Sequence, residues 1–159
     1  MSISPLPSKE YFRALTILHA SLTLGQVLMA AMIYFFFNAE EAAVTGVKAT
    51  GQSWIYIIGG LTIIGVLMSA QVFGLKIKAL REVKDLQGKL DGYRTALILR
   101  YALLEAPSLL GIVGYLFTNN LLLLIFSGLI VLLLLVYRPT KERLITDLDL
   151  SPSEQNLLG

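Results

Sequence analysis

The chain has 159 residues, of which 55% are hydrophobic and only 15% are charged, and it contains no cysteine. Soluble domains are about 25% charged, so this composition argues against a water-soluble globular protein. Without cysteine there is no disulfide, no thiol nucleophile and no cysteine-ligated metal. His19 is the single histidine, which excludes a multi-histidine metal centre. We therefore expect neither a metal nor a cofactor.

Four apolar segments approach or exceed the length of about 20 residues that a membrane-spanning helix needs. They cover residues 14–37, 54–75, 95–117 and 121–137. The sequence therefore predicts an all-α, polytopic membrane protein in which residues 1–139 form one four-helix transmembrane bundle. Residues 140–159 are predicted to form a cytoplasmic amphipathic tail. The first segment is too long for the apolar region of a signal peptide and is interpreted as a retained span.

Lysine and arginine lie almost entirely on one side of the predicted bundle. Eleven of them flank the side that holds both termini and the central loop, whereas the other side has only Lys48. By the positive-inside rule, the termini and the central loop face the cytoplasm. We expect a multi-pass protein of the cell inner (plasma) membrane. The second helix is predicted to continue beyond the membrane and the chain to turn back near Gly88 and Gly92.

Polar side chains recur along one face of the first predicted span. Thr16, His19, Thr23 and Gln26 are spaced by three, four and three residues, which places them on one helix face. We refer to these four residues as the polar seam. Hydrogen bonding between helices is favoured as its role over a ligand site.

Small residues mark two predicted helix-packing faces. Ser21 and Gly25 are four residues apart on the first span, and Gly65 and Ser69 are four apart on the second. Small side chains allow helix backbones to approach closely in lipid, where packing replaces the hydrophobic driving force. Both pairs are therefore predicted helix contacts.

The third span carries charge inside a segment that is otherwise apolar. With a rise of 1.5 Å per residue, Glu105 lies about 15 Å from the cytoplasmic end, near the midplane, and Arg100 about 8 Å from it. The two side chains are about 140° apart around the helix, so an ion pair within the helix is not expected. Arg100 is expected to extend back towards the cytoplasmic headgroups.

A proline lies beside the carboxyl group at mid-membrane. Pro107 has no N–H, so the carbonyl of Leu103 loses its helical donor half a turn from Glu105. Tyr101 shares the face of Glu105, and His19 and Gln26 of the first span fall at suitable depths to meet them. Three interpretations remain open: a protonated or hydrogen-bonded Glu105 that holds helices together, a proton or ion site, or a substrate pocket.

Residues 102–114, ALLEAPSLLGIVG, resemble the carboxylate helix of the proteolipid (c-type) subunits of rotary ATPases. In that family a glutamate in an Ala/Leu/Gly-rich helix carries a proton or Na⁺, so the resemblance implies such a role for Glu105. The chain as a whole resembles short four-helix bacterial membrane proteins of uncharacterised function with a third helix of the type R-Y-A-L-L-E.

Two classes of function fit the sequence. The first is a non-catalytic structural or accessory subunit of a membrane assembly. The second is a small proton- or cation-coupled transporter, or a proteolipid-like oligomer, that uses Glu105. No catalytic motif is present and an enzyme is not expected. The expected partners are the lipid bilayer and either further copies of the chain or another membrane protein. Nucleic acid is not expected, because the charged loop lacks aromatic residues.

Overall fold

The structure is a computed structural model, and it describes residues 8–36 and 51–158. These residues form six helices and, within the described ranges, no strand, which confirms the all-α prediction. The loop that carries Lys48, and Phe37 at the end of the first predicted span, lie outside the described residues. The helices are α1 (Ser8–Phe36), α2 (Gly51–Arg81), α3 (Leu86–Thr118), α4 (Leu121–Val136), α5 (Lys141–Leu148) and α6 (Pro152–Leu157).

Helices α1, α2 and α3 are each long and apolar enough to cross a membrane. Helix α4 has 16 residues and is joined to α5 through a bend of 82°. The two helices together are long and apolar enough to cross a membrane as one broken span. Pro139 lies at this bend, and a proline cannot continue the α-helical hydrogen bonding of the residues before it. The described chain thus has three apolar helices of spanning length, or four if the bent pair counts as one.

The turn between α2 and α3 comes earlier than the sequence indicates. It occupies residues 82–85, whereas Gly88 and Gly92 both lie inside α3. The reason is a helix cap: the carboxylate of Asp85 accepts a hydrogen bond from the Gly88 N–H at 2.6 Å. A side-chain acceptor at this position satisfies one of the unpaired N–H groups at a helix start.

The four long helices alternate in direction. Helices α1 and α3 run parallel, because Tyr11 donates to the carbonyl of Leu90 at one end and Tyr34 stacks on Tyr115 at the other. Helix α2 runs antiparallel to α3, and the rings of Phe73 and Tyr93 meet 6.1 Å apart. Helix α4 returns along α3 after a turn in which Asn120 caps the new helix. The starts of α1 and α3 and the ends of α2 and α4 therefore meet at one end of the bundle, which we call the charged end.

Helix α4 is apolar at almost every position, yet its buried residues lie on one stripe. Leu123, Ser127, Ile130 and Leu134 recur every three or four residues and are at most 2% exposed. The remaining positions include many exposed leucines. One stripe of this helix therefore closes the core against α3.

The C-terminal tail folds back on the charged end. The side chain of Thr140 accepts from the Arg143 N–H to cap α5, and Ser151 and Glu154 form a reciprocal capping box on α6. The apolar face of the tail enters the same core cluster as α1, α3 and α4, through residues that are at most 5% exposed: Leu144, Leu148, Leu150 and Leu158. The tail is thus part of the bundle core and does not offer this apolar face to a partner.

Candidate functional site

Glu105 lies in the middle of α3, half-buried, and makes no hydrogen bond or ion pair with any described residue. The tyrosine and serine that share its helix face are engaged elsewhere. Tyr101 donates to the carbonyl of Tyr137 at 3.0 Å. Ser108 packs against α4. The carboxyl group is therefore not part of a polar network among the described residues.

Pro107 is buried against α2, opposite Gly65. A Cβ added at Gly65 would stand 2.8 Å from the carbonyl oxygen of Leu103 and 3.1 Å from Cγ of Pro107. The glycine thus lets the α2 backbone cover the carbonyl whose helical donor the proline removes. The free acceptor predicted beside Glu105 is closed off by direct helix contact.

Helices α3 and α4 also meet closely at the same level. The hydroxyl of Ser127 donates to the carbonyl of Ser108 at 2.8 Å, and the hydroxyl of Ser108 returns a longer bond to the carbonyl of Ser127 at 3.4 Å. A Cβ at Gly111 would overlap the Ser127 hydroxyl and lie 2.9 Å from the Leu123 carbonyl oxygen. Small side chains and two hydroxyls therefore hold the middle of the bundle together.

Arg100 does not pair with Glu105. Its guanidinium lies over the ring of Tyr137 at 3.5 Å and over the ring of Phe73 at 4.5 Å. It lines a small cavity at the charged end together with Glu142 and Asp147 of the tail. The side chain thus extends towards the charged end, in the predicted direction, and cation–π contact replaces an ion pair.

The polar seam of α1 is largely buried, but the predicted hydrogen bonds between helices are not made. His19, Thr23 and Gln26 are between 1% and 7% exposed. The imidazole Nδ1, the threonine hydroxyl and both atoms of the glutamine amide have no partner in the described structure. His19 instead packs on the ring of Tyr101 at 5.0 Å between centroids. The structure therefore brings His19 to Tyr101, without joining either of them to Glu105.

The seam faces a cleft between α1 and the end of α4, which sequence reasoning missed. The cleft has a volume of about 960 Å³, and Thr16, His19 and Thr23 line it. Gln26 lines an adjoining cavity of about 280 Å³. A uniformly apolar α4 carries no sequence signal that would pair it with α1, so this cleft could not have been located from the sequence.

The two predicted packing pairs have different environments. Gly65 and Ser69 are buried on α2. The Ser69 hydroxyl donates a hydrogen bond to the Val66 carbonyl of the same helix. Ser21 and Gly25 are exposed, and a Cβ at Gly25 would meet no atom within 4 Å. The first-span pair thus makes no packing contact with the described residues.

One ion pair that the sequence did not indicate ties the tail to the bundle. Lys89 Nζ donates to Glu154 Oε1 at 2.7 Å, and both side chains are mostly buried. The hydrogen bond from Lys89, followed by one from the Ser151 backbone N–H, lowers the pKa of Glu154 to about 2. The carboxylate is therefore ionised at neutral pH and holds α6 against the start of α3.

The described residues contain no cluster of three or more His, Asp or Glu side chains that would suit a metal ion. Some of their polar groups join helices, as Ser108 and Ser127 do, and others line a cavity without partners, as His19 and Thr23 do. Such an arrangement can bind a molecule. No family model, curated protein or solved structure matches the chain.

Proposed function

We propose that the protein is a four-span integral membrane protein of the inner (plasma) membrane, with the charged end and both termini in the cytoplasm. The long apolar helices support membrane insertion. Helix α4 is about 24 Å long, short of the 30 Å hydrocarbon thickness, and Tyr137 and Arg138 follow it as residues suited to the interface. The eleven lysines and arginines counted from the sequence belong to helix ends and segments at the charged end, which supports the cytoplasmic orientation.

Within the membrane, the protein is proposed to act as a non-catalytic structural or accessory subunit of a membrane assembly. The observation that carries this proposal is the closed middle of the bundle. Gly65 covers the Leu103 carbonyl, and Gly111 brings α3 against Ser127 and Leu123. An ion pathway through the bundle would have to pass this level, where backbone contact and not a water-filled space joins the helices.

A second candidate is a proton- or cation-coupled transporter, or a proteolipid-like oligomer, that uses Glu105. It is favoured by one observation: the carboxyl group is half-buried near the middle of α3 and has no described partner. Ionisable groups inside a membrane are rare and commonly functional. In this candidate, Glu105 would act at an interface with another chain, because the packed bundle leaves little room beside Pro107.

Purification in a mild detergent, followed by measurement of the particle mass, distinguishes the two candidates. We expect a stable complex with a different membrane protein, and we expect Glu105→Gln to leave that complex intact. The amide keeps the size of the carboxyl group, so the packing of α3 is retained. A homo-oligomer that moves protons or cations across vesicles, and whose activity Glu105→Gln abolishes, would contradict the subunit proposal and establish the second candidate.

A further inference from the structure

The α1–α4 cleft has the form of a site for an amphiphile. The part of it farther from the charged end is lined by apolar residues of both helices, Leu24, Val27, Val131 and Leu135. Val27 and Val131 also line the adjoining cavity, which extends towards Tyr34. The two cavities thus follow one groove along the helix axes, on a flank that would face lipid in a membrane.

The mouth of the cleft at the charged end is basic. Lys9 of α1 and Arg138 and Lys141 at the end of α4 and the start of α5 line it, against a single carboxylate, Glu142. The pKa of that carboxyl group is lowered, chiefly by hydrogen bonding to its own backbone N–H and to the Thr140 hydroxyl. Lys141 is engaged within the chain, so direct contact with a ligand falls to Lys9 and Arg138. The mouth therefore favours an anion.

Between the basic mouth and the apolar stretch of the cleft lie groups that can form hydrogen bonds. Thr16, His19 and Thr23 line the cleft wall. His19 is 6% exposed and Thr23 7% exposed, and the imidazole Nδ1 and the threonine hydroxyl lack partners. Buried polar groups are rarely left unpaired in native proteins, so these two groups suit a ligand that can form hydrogen bonds.

We propose that this cleft binds an anionic phospholipid of the cytoplasmic leaflet. The lipid phosphate would contact Lys9 and Arg138, its ester carbonyls would accept from the threonine and histidine donors, and an acyl chain would lie along Val27 and Val131. Each part of the lipid then meets a matching part of the cleft. The proposal rests on the membrane orientation proposed above, which sets the charged end at that leaflet.

The charge pattern favours a phospholipid over a partner helix as the occupant. Lys9 and Arg138 lie at one end of the cleft, whereas Val27 and Val131 lie farther along it. A phospholipid carries its anionic group at one end and its apolar chain at the other, in the same order.

The test reconstitutes the full chain into vesicles of phosphatidylglycerol and phosphatidylcholine in equal amounts. The protein is then extracted in mild detergent, and the retained lipids are counted by native mass spectrometry. We expect the wild type to retain phosphatidylglycerol over phosphatidylcholine. The variant Lys9→Gln/Arg138→Gln should lower that preference by about fivefold per charge, roughly 25-fold in all. The matched control Lys78→Gln/Lys84→Gln removes two exposed charges from the same end and should leave the preference unchanged.

A second pair of variants tests the apolar part. Val131→Trp fills the groove and should reduce retention of both lipids, whereas Leu132→Trp, at a position 59% exposed on the same helix, should not. Soluble glycerol phosphate should not displace the bound lipid. If glycerol phosphate displaced the lipid, or if Val131→Trp left lipid retention unchanged, the cleft would be a site for a phosphate group and not for a lipid. Equal retention by the wild type and the Lys9→Gln/Arg138→Gln variant, or a polypeptide held in the cleft, would overturn the proposal.

These outcomes separate the lipid proposal from the proposed function. Lipid retention without a heterologous partner would overturn the subunit role and leave the lipid site standing. A stable hetero-complex that shows no preference for anionic lipid would overturn the lipid site and leave the subunit role standing.

Discussion

Gly111→Ala is expected to destabilise the bundle by roughly 2 kcal/mol, within the 1–3 kcal/mol range of overpacked cores. The added Cβ would overlap the Ser127 hydroxyl and lie 2.9 Å from the Leu123 carbonyl oxygen. Because the obstacle includes backbone, α4 has to move away from α3, and the bond from Ser127 to the Ser108 carbonyl lengthens. The free energy of unfolding in detergent, measured by denaturant titration, checks the expectation.

Gly128→Ala provides the matched control for this change. It lies on α4, and a Cβ there would meet no atom within 4 Å. Alanine favours a helix over glycine by about 1 kcal/mol, so this variant should be neutral or more stable than the wild type. The two substitutions are chemically identical and should have opposite effects. Stabilisation by Gly111→Ala would mean that α3 and α4 do not cross as closely as described.

Lys89→Met is expected to cost roughly 2 kcal/mol and to release the C-terminal tail. Loss of one partner of a buried ion pair costs about 3–5 kcal/mol, and we expect less here because the Glu154 side chain is 19% exposed. Protease cleavage after residue 150 should become faster, while the long helices stay folded. Lys84→Met, an exposed position in the preceding turn, is the control. Equal cleavage of both variants would show that the ion pair does not hold the tail.

The same ion pair predicts a dependence on pH. The pKa of Glu154 is lowered from 4.5 to about 2, so its contribution to stability is fully present above about pH 4.5. The contribution is lost progressively as the pH falls from 4.5 towards 2. The tail should therefore become sensitive to an acid-active protease in that interval. Glu154→Gln should remove this dependence and Glu142→Gln should retain it, since Glu142, whose pKa is also lowered, makes no contact with Lys89.

The helices themselves were largely predictable from composition and spacing. Long apolar runs predicted the all-α fold and four spans, since a chain in lipid has to satisfy its backbone internally. Three of the four are helices of spanning length, and the fourth reaches that length only together with the bent helix that follows it. The spacing of the polar seam placed its four residues on one helix face. Three of them, His19, Thr23 and Gln26, are buried, whereas Thr16 is exposed. Spacing determines which residues share a helix face, but it does not determine which helix packs against that face. The polar seam lines a cleft, and its buried side chains have no hydrogen-bond partner.

Contacts between residues that are far apart in the chain could not be predicted from the sequence. Lys89 and Glu154 are 65 residues apart, and each is the kind of residue that is usually solvated. Helix α4 is apolar at almost every position, so its periodicity does not reveal the stripe that contains Ile130 and Leu134. Ser21 and Gly25 have the same spacing as Gly65 and Ser69, yet only the second pair is buried. Small residues permit close approach, and a facing helix decides whether it occurs.

The account depends most directly on a membrane bundle with its charged end in the cytoplasm. The cysteine-free chain allows a single thiol to be placed at Ser153, exposed on the tail, or at Gln52, exposed at the opposite end. Each variant is labelled in intact cells with a reagent that does not cross membranes. We predict that Gln52→Cys is labelled at once and that Ser153→Cys is labelled only after permeabilisation. Labelling of Ser153→Cys in intact cells would contradict the account.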